Sequence, residues 1–468
     1  MQKTIFITIT RSFLTRNILR CGTLDELKRE GYKICILFPR PTIPAYLKRE
    51  FEDEKVRLVP VPTADSSRWH RLFLKMNFSN LLFSRSTITR ALFFNDNART
   101  RFFSKKFYKK TLIVPWLRYV YLRVASSLPP LKRLYRFIEF VWFPQVNPAL
   151  RKVFDRYEPN LIFSTSFVSG FDCAVLKEAR RRKITTVSMP KSWDNIALGY
   201  ARVRADHLVV PNEPSRDVAI RLQNFPKQSV HIVGQPQFDW YVRPELIISR
   251  DDYFNKKGLD PKLPLIFFGS EGVWAAFDYE IAEMIHDWIV KDELSRPCQL
   301  LVRPHYSNSD LDIFKKLRGK KKVAVDSYRI TNFLGDKWDP NKDEMVDFIN
   351  TLYHCDIMIN AASTLTLDAA CFDKPIINVN FGCFYEGNNR NDDDITPTLY
   401  ESDHFEWVFA TKATKIADTP DALKDGINTY LNNPRAEAAA RALLRAKLCY
   451  KIDGKSSKRL AAVLKSLL

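Results

Sequence analysis

Three short stretches set small, hydroxylated or cationic residues directly after apolar runs that read as buried strands. CDIMINAASTLTLDAACFDKPIINVNFG, residues 355–382, places Ala361, Ala362, Ser363 and Thr364 at the start of a short helix. FFGSEGVW places Ser270, Glu271 and Gly272 behind another strand, and LLVRPHYS places Arg303 and His305 behind a third. Small residues leave backbone N–H groups uncovered, hydroxyls add hydrogen bonds, and a cationic pair such as Arg303 and His305 adds charge. Together these suit a phosphate. Asp368, one helical turn past Thr364, is spaced to accept from a ribose hydroxyl. A purely local reading also stands, in which Ser363 caps the helix and Asp368 steadies its first turn.

Such residues act only if a scaffold brings them together. The chain has 468 residues, 46% of them hydrophobic, with 14 glycines. That length suits two or three packed domains and excludes a disordered or fibrous chain. Strand patterns alternate with helix patterns from residue 3: KTIFITIT, NILRCGTLDELKREG, YKICILF and KVRLVPV open a parallel sheet, which NLIFSTS through SVHIVG continues. Prolines and charges interrupt the alternation over 241–262, and it restarts at PLIFFGS. The pattern predicts an α/β protein with an N-terminal domain over 1–240, a crossover over 241–262 and a C-terminal domain over 263–468, its last stretch helical. Ligands of such open sheets bind beyond the carboxyl ends of the strands, so two of them in tandem predict a shared crevice.

The charge is concentrated. Of 73 Lys/Arg and 53 Asp/Glu, 16 bases but only 2 acids fall in residues 68–150, interleaved with Phe, Trp, Tyr and Leu. This segment reads as a mostly helical insertion in the N-terminal domain. Its composition fits a helix lying on an anionic membrane surface. A solvated insertion and a single-stranded nucleic-acid surface are the other readings, and the absence of glycine-rich or RNP-like patterns counts against nucleic acid. The start, MQKTIFITITRSF, lacks the features of a signal peptide, and no apolar run approaches the roughly 20 residues of a spanning helix. Eight cysteines are scattered without paired spacing, most of them inside apolar runs, which fits a reducing, cytoplasmic setting.

SMPKSWDNIALGY, DHLVVPNEPSRDVAIRLQNFPKQSVHIVGQPQFDWY, CDIMINAASTLTLDAACFDKPIINV and YKIDGKSSKRLA follow one another in an order that resembles the GT-B glycosyltransferases. The resemblance is nearest to the CDP-glycerol glycerophosphotransferases, sugar-nucleotide 2-epimerases and related bacterial surface-polysaccharide enzymes. It covers residues 1–60 and 151–468 and leaves the insertion unmatched. It implies two Rossmann-like domains with a nucleotide sugar held chiefly by the second, near Ser270, Glu271, Gly272, Arg303, His305, Ser363, Thr364 and Asp368. The acceptor, a surface glycan or lipid-linked molecule, then lies against the first. The glycine-rich, paired-glutamate helix usual in the 2-epimerases is missing from AASTLTLDAA.

Displacement at an anomeric carbon needs a base for the acceptor hydroxyl. Asp194, in SWDN after ITTVSMP, is the first candidate and Asp172 the second; Asp194 also fits a turn residue bonding its own backbone. In RSFLTRN, Arg11 and Ser12 are expected to reach the crevice, and Arg16 to be solvated. Asp392, Asp393 and Asp394 form a polar run without a nearby histidine, and the seven histidines show no paired spacing, so no metal is expected; GT-B enzymes generally work without one. No cofactor beyond the nucleotide-sugar co-substrate is implied. The expected activity is glycosyl transfer at the inner face of a membrane. The alternatives are a glycerophosphate or polyol-phosphate transferase, a UDP-sugar 2-epimerase-like enzyme, and a non-catalytic membrane or RNA adaptor on the same frame.

Overall fold

The computed structural model describes residues 2–63, 66–77, 81–88, 113–272, 275, 278–306, 311–327, 331, 334–336, 338–381, 384–385, 389–390 and 399–468. The N-terminal lobe is built on β1 (Thr4–Thr8), β2 (Lys33–Phe38), β3 (Val56–Pro60), β4 (Leu161–Ser164), β5 (Thr185–Ser188), β6 (His207–Val210) and β7 (Val230–Ile232). They form one parallel sheet in the order β3-β2-β1-β4-β5-β6-β7. The C-terminal lobe carries β8 (Leu265–Gly269), β9 (Gln299–Arg303), β10 (Val323–Val325), β11 (Ile357–Asn360) and β12 (Ile376–Val379). A pair of two-residue strands, β13 (Phe384–Tyr385) and β14 (Asn389–Arg390), forms a small separate antiparallel sheet, and β15 (Lys415–Ala417) completes the lobe. The second parallel sheet runs β10-β9-β8-β11-β12-β15. TIFIT and LIFFG are buried along their whole length, as sheets covered on both faces require.

In each sheet the order reverses beside the first strand, between β1 and β4 and between β8 and β11. Loops diverge at those two points and leave room above the strand ends. The lobes meet through the segment after β10. Asp339, fully buried, accepts from Arg20 Nη1 at 2.5 Å, from Tyr46 Oη at 2.5 Å and from Thr15 Oγ1. Asp336 accepts from the N–H groups of Ser12 at 2.8 Å and Phe13 at 3.1 Å.

Two boundaries differ from the sequence pattern. The helix Arg250–Lys257, inside the expected crossover, buries Tyr253 and Phe254 in the C-terminal core. The final helix, Ser456–Ser466, packs on the opposite lobe: Leu460, Ala461 and Leu464 join the N-terminal core. Its first turn is capped by Asp239, which accepts from the N–H groups of Ser456 at 2.8 Å and Ser457 at 2.7 Å. Local apolar spacing marks a helix and does not say which sheet it covers.

The insertion contributes the helices Arg68–Asn77, Ile113–Ser127 and Pro129–Val141. It is pinned to the N-terminal lobe by a buried ionic cluster. Glu139 meets Lys177 Nζ at 2.7 Å, His70 Nε2 at 3.0 Å and Arg202 Nη1 at 3.2 Å. Burial pushes the Glu139 carboxyl up, but the His70 hydrogen bond and the charges of Arg202 and Lys177 outweigh it and hold it below its ordinary value. Removing one partner from such a cluster strands the rest. Glu139→Ala is therefore expected to cost about 3–5 kcal/mol in chemical denaturation.

Candidate functional site

The two switch points face each other across a cleft of about 830 Å³. Its C-terminal wall includes Ser270, Glu271, Arg303, His305, Ser363, Thr364 and Asp368, and its N-terminal wall includes Arg11, Arg16, Lys191, Trp193 and Asp194.

The loop above β11 is shaped from below. Asn378 Nδ2 donates to Asn360 Oδ1 at 2.8 Å and to Thr366 Oγ1 at 3.0 Å, beneath the turn that carries Ala361 to Thr364. Thr366 is thus structural, while Ser363 and Thr364 line the cleft. The N–H groups of Ser363 and Thr364 donate to no described residue. They remain available to an anion.

The loop above β8 departs from expectation. The Ser270 N–H donates to the Arg303 carbonyl at 3.0 Å, the Glu271 N–H to Asp278 Oδ2 at 2.5 Å, and the Gly272 N–H to Ser270 Oγ at 3.0 Å. All three amides are occupied, and Gly272, buried at φ 63°, serves the turn and does not line the cleft. Gly272 is therefore corrected from ligand contact to turn residue.

Cationic help comes from arginines. Arg303 Nη1 pairs with Asp326 at 3.1 Å and its guanidinium lies 4.6 Å from the Phe348 ring centre, which fixes its direction at the cleft wall. His305 differs from the expected cation. Burial pushes its imidazole down to about 4, so it is neutral at pH 7. Arg16, expected in solvent, lies in the cleft wall with its guanidinium 4.5 Å from the ring centre of Trp338, which stacks on Tyr306 at 5.4 Å.

Four acidic and imidazole groups complete the chemistry. Asp194 accepts from Asn195 Nδ2 at 2.8 Å and lines the cleft. His404 meets the Trp193 ring edge-on at 5.0 Å; burial lowers its basicity, and the charges of Asp194 and Asp403 partly oppose this. Glu271 is pushed up to about 8, first by burial; the Ser363 hydrogen bond pulls it down, and the charges of Asp278 and Asp194 push it further up. Asp368 accepts from Tyr241 Oη at 2.7 Å and is pushed up to about 6 by burial, against that bond and the charges of Arg16 and Arg303. The site thus offers a carboxylate on one wall facing a carboxylic acid and a neutral imidazole on the other.

Asp172 and Ser12 lie elsewhere. Asp172 is fully buried under the N-terminal switch point, bonded to Thr8 Oγ1 and at 2.8 Å to Ser164 Oγ, so it holds β1 to β4 and cannot reach an acceptor. Ser12 is fully buried and tied to Asp336 and Leu334, so it joins the lobes and contacts no ligand space. Tyr306, Trp338 and His404 had no local signal; Arg16 and Trp338 meet only because the lobes close. Among the described residues no group of three His, Cys, Asp or Glu could hold a metal ion, and Asp392, Asp393 and Asp394 lie outside the described residues.

Comparison with solved structures bears on this architecture. A glycosyltransferase from Rickettsia africae is 9% identical, with a TM-score of 0.51 over 100% of this chain and 98% of that one. The UDP-GlcNAc 2-epimerase from Neisseria meningitidis bound to UDP-GlcNAc is 10% identical, at 0.52 over 100% of both. The wall teichoic acid polymerase TagF with CDPG is 12% identical, at 0.52 over 100% of this chain and 88% of that one. The chain has the GT-B fold. No protein-family model and no curated protein sequence matches it. Within the GT-B frame the cleft just described is the interlobe crevice.

Between its ordinary value and about 8, Glu271 keeps a proton in the folded protein that the unfolded chain has released. Stability therefore falls as pH rises through that window. Glu271→Gln has no such proton to lose. Thermal melts from about pH 5 to about pH 8 are expected to decline less in the variant than in the parent.

Proposed function

We propose that the chain is a glycosyltransferase that moves a sugar from a nucleotide-sugar donor to a surface-glycan or lipid-linked acceptor at the cytoplasmic face of a membrane. One observation carries the reading: Asp194 on the N-terminal wall stands opposite Glu271, Arg303, Ser363 and Thr364 in a single cleft. The solved neighbours that hold UDP-GlcNAc or CDPG on this fold support an activated sugar or polyol as donor class.

The donor diphosphate lies against the Ser363 and Thr364 amides and the Arg303 guanidinium, with Asp368 and Arg16 toward the nucleoside. The acceptor hydroxyl attacks the anomeric carbon while Asp194 takes its proton, and the bond to the phosphate oxygen breaks. Arg303 and the two amides stabilise the charge on the departing nucleoside diphosphate. The base and the groups that meet the departing phosphate are all side chains or amides of the cleft wall.

A thermal-shift panel of UDP-, CDP-, GDP- and dTDP-linked sugars and CMP-sugars tests the donor class. At least one is expected to raise the melting temperature, and silence from the whole panel would overturn the reading. With the active donor, Arg303→Ala is expected to weaken binding about tenfold or more, equivalent to roughly 1.5–3 kcal/mol for a charge-assisted bond. Asp194→Asn is expected to leave donor binding unchanged and to lower turnover by roughly 100- to 10,000-fold. Donor converted to its C2 epimer without acceptor would assign an epimerase instead.

A further inference from the structure

The helix Pro129–Val141 is inside out. Its charged residues Lys132 and Glu139 are buried. Arg136, half-buried, donates to the Ala201 carbonyl at 3.0 Å and the Gln223 carbonyl at 2.7 Å. Leu131 and Tyr135 pack inward with them, but a second apolar stripe faces the other way. Leu134, Phe137 and Val141, at helical spacing on one stripe, are 51%, 60% and 47% exposed, and Trp142 just beyond is 70% exposed.

The preceding helix Ile113–Ser127 folds back along it, with the Tyr121 and Tyr135 hydroxyls 2.8 Å apart. It exposes Trp116 at 59%, Leu117 at 65% and Val124 at 52%. A helix on the surface of a water-soluble domain buries such residues and exposes its charges. Here the ionic cluster around Glu139 holds that face of the helix against the lobe and leaves the stripe of Leu134, Phe137 and Val141 outward.

Charge decides what covers it. Residues 68–150 hold 16 Lys/Arg and 2 Asp/Glu, and Arg123 and Arg133 are exposed on the two helices themselves. Apolar and aromatic side chains beside an excess of positive charge match the boundary between acyl chains and anionic headgroups. Among the described residues no helix is long and apolar enough to cross a membrane, so contact is in the plane of the interface. The hairpin also packs on Leu82 and Tyr200, beside Leu198 and Gly199 in the cleft wall that carries Asp194.

We propose that the helical hairpin Ile113–Ser127 and Pro129–Val141 docks into the headgroup layer of an anionic bilayer and turns the acceptor half of the cleft toward the lipid. The acceptor it serves is then one with a lipid anchor. This identity of the acceptor rests on the transferase reading above; the docking itself does not.

The full chain is sedimented with phosphatidylcholine vesicles and with vesicles carrying about one-third phosphatidylglycerol in addition. Binding is expected to the anionic vesicles and to weaken with added salt. The double substitution Phe137→Ser with Trp142→Ser is expected to reduce it at least about tenfold. Arg123→Glu with Arg133→Glu, at exposed positions, provides an independent loss. The melting-temperature shift induced by the active nucleotide sugar, measured without lipid, is expected to persist in every variant and reports that the cleft is intact. Failure of the parent protein to sediment, or equal binding to both vesicle types, would overturn the docking and leave the transferase reading standing. So would a self-associated species in lipid-free chromatography that the same substitutions dissolve. A parent protein that sediments but shows no shift with any nucleotide sugar would retain the docking and remove the transferase.

Discussion

Asp339 carries a negative charge from the C-terminal lobe into a pocket of the N-terminal one. There Arg20, Tyr46 and Thr15 surround it, and the carboxylate has no access to solvent. A buried ion pair of this kind contributes little net stability, since desolvation offsets most of the Coulomb attraction. Its effect is on geometry. The charge is satisfied in one docking of the lobes, and separation would break all of these bonds to Asp339 and leave Arg20 with Glu50, 2.7 Å away in its own lobe. Two neighbours, Asp336 on the Ser12 and Phe13 amides and Trp338 under Arg16, extend the same seam. The cleft has its width because this seam closes one side of it.

Inside the cleft, burial neutralises many of the groups that could carry charge. His305 and His404 are held toward their neutral forms and Glu271 toward its acid form, while the guanidinium groups of Arg303 and Arg16 line the same cleft. An arriving diphosphate would meet a mildly positive lining at no reorganisation of those arginines, which are already oriented by Asp326, Phe348 and Trp338. Such preorganisation is the main source of electrostatic stabilisation in enzyme sites.

Much of the frame was legible in the sequence because parallel strands buried on both faces are continuous apolar runs. TIFIT, LIFFG and IMIN stand out from any local pattern around them. Strand ends were legible for the same reason, and with them Ser363, Thr364, Arg303 and Asp194. What a strand end does not reveal is direction. Asp172 and Asp194 both follow β-strands of one sheet, yet one carboxyl turns under the sheet edge to Thr8 and the other into the cleft. In the sequence Gly272 looks like an open amide, but the Ser270 hydroxyl takes its N–H and Asp278 takes that of Glu271, which closes the loop. Arg16 looks solvated in the sequence because its partner, Trp338, lies in the other lobe. The inverted helix at 129–141 was legible as basic and aromatic, while which face pointed inward depended on Lys177 and Arg202.

The placement of the last helix has a mechanical result. Backbone passes from the first lobe to the second after β7 and returns before Ser456, where Asp239 fastens it. A single tether would let one half swivel about any axis. Two tethers side by side, fastened to each other through Asp239, remove that freedom, so the chain's own path keeps the lobes in the alignment that the Asp339 seam sets.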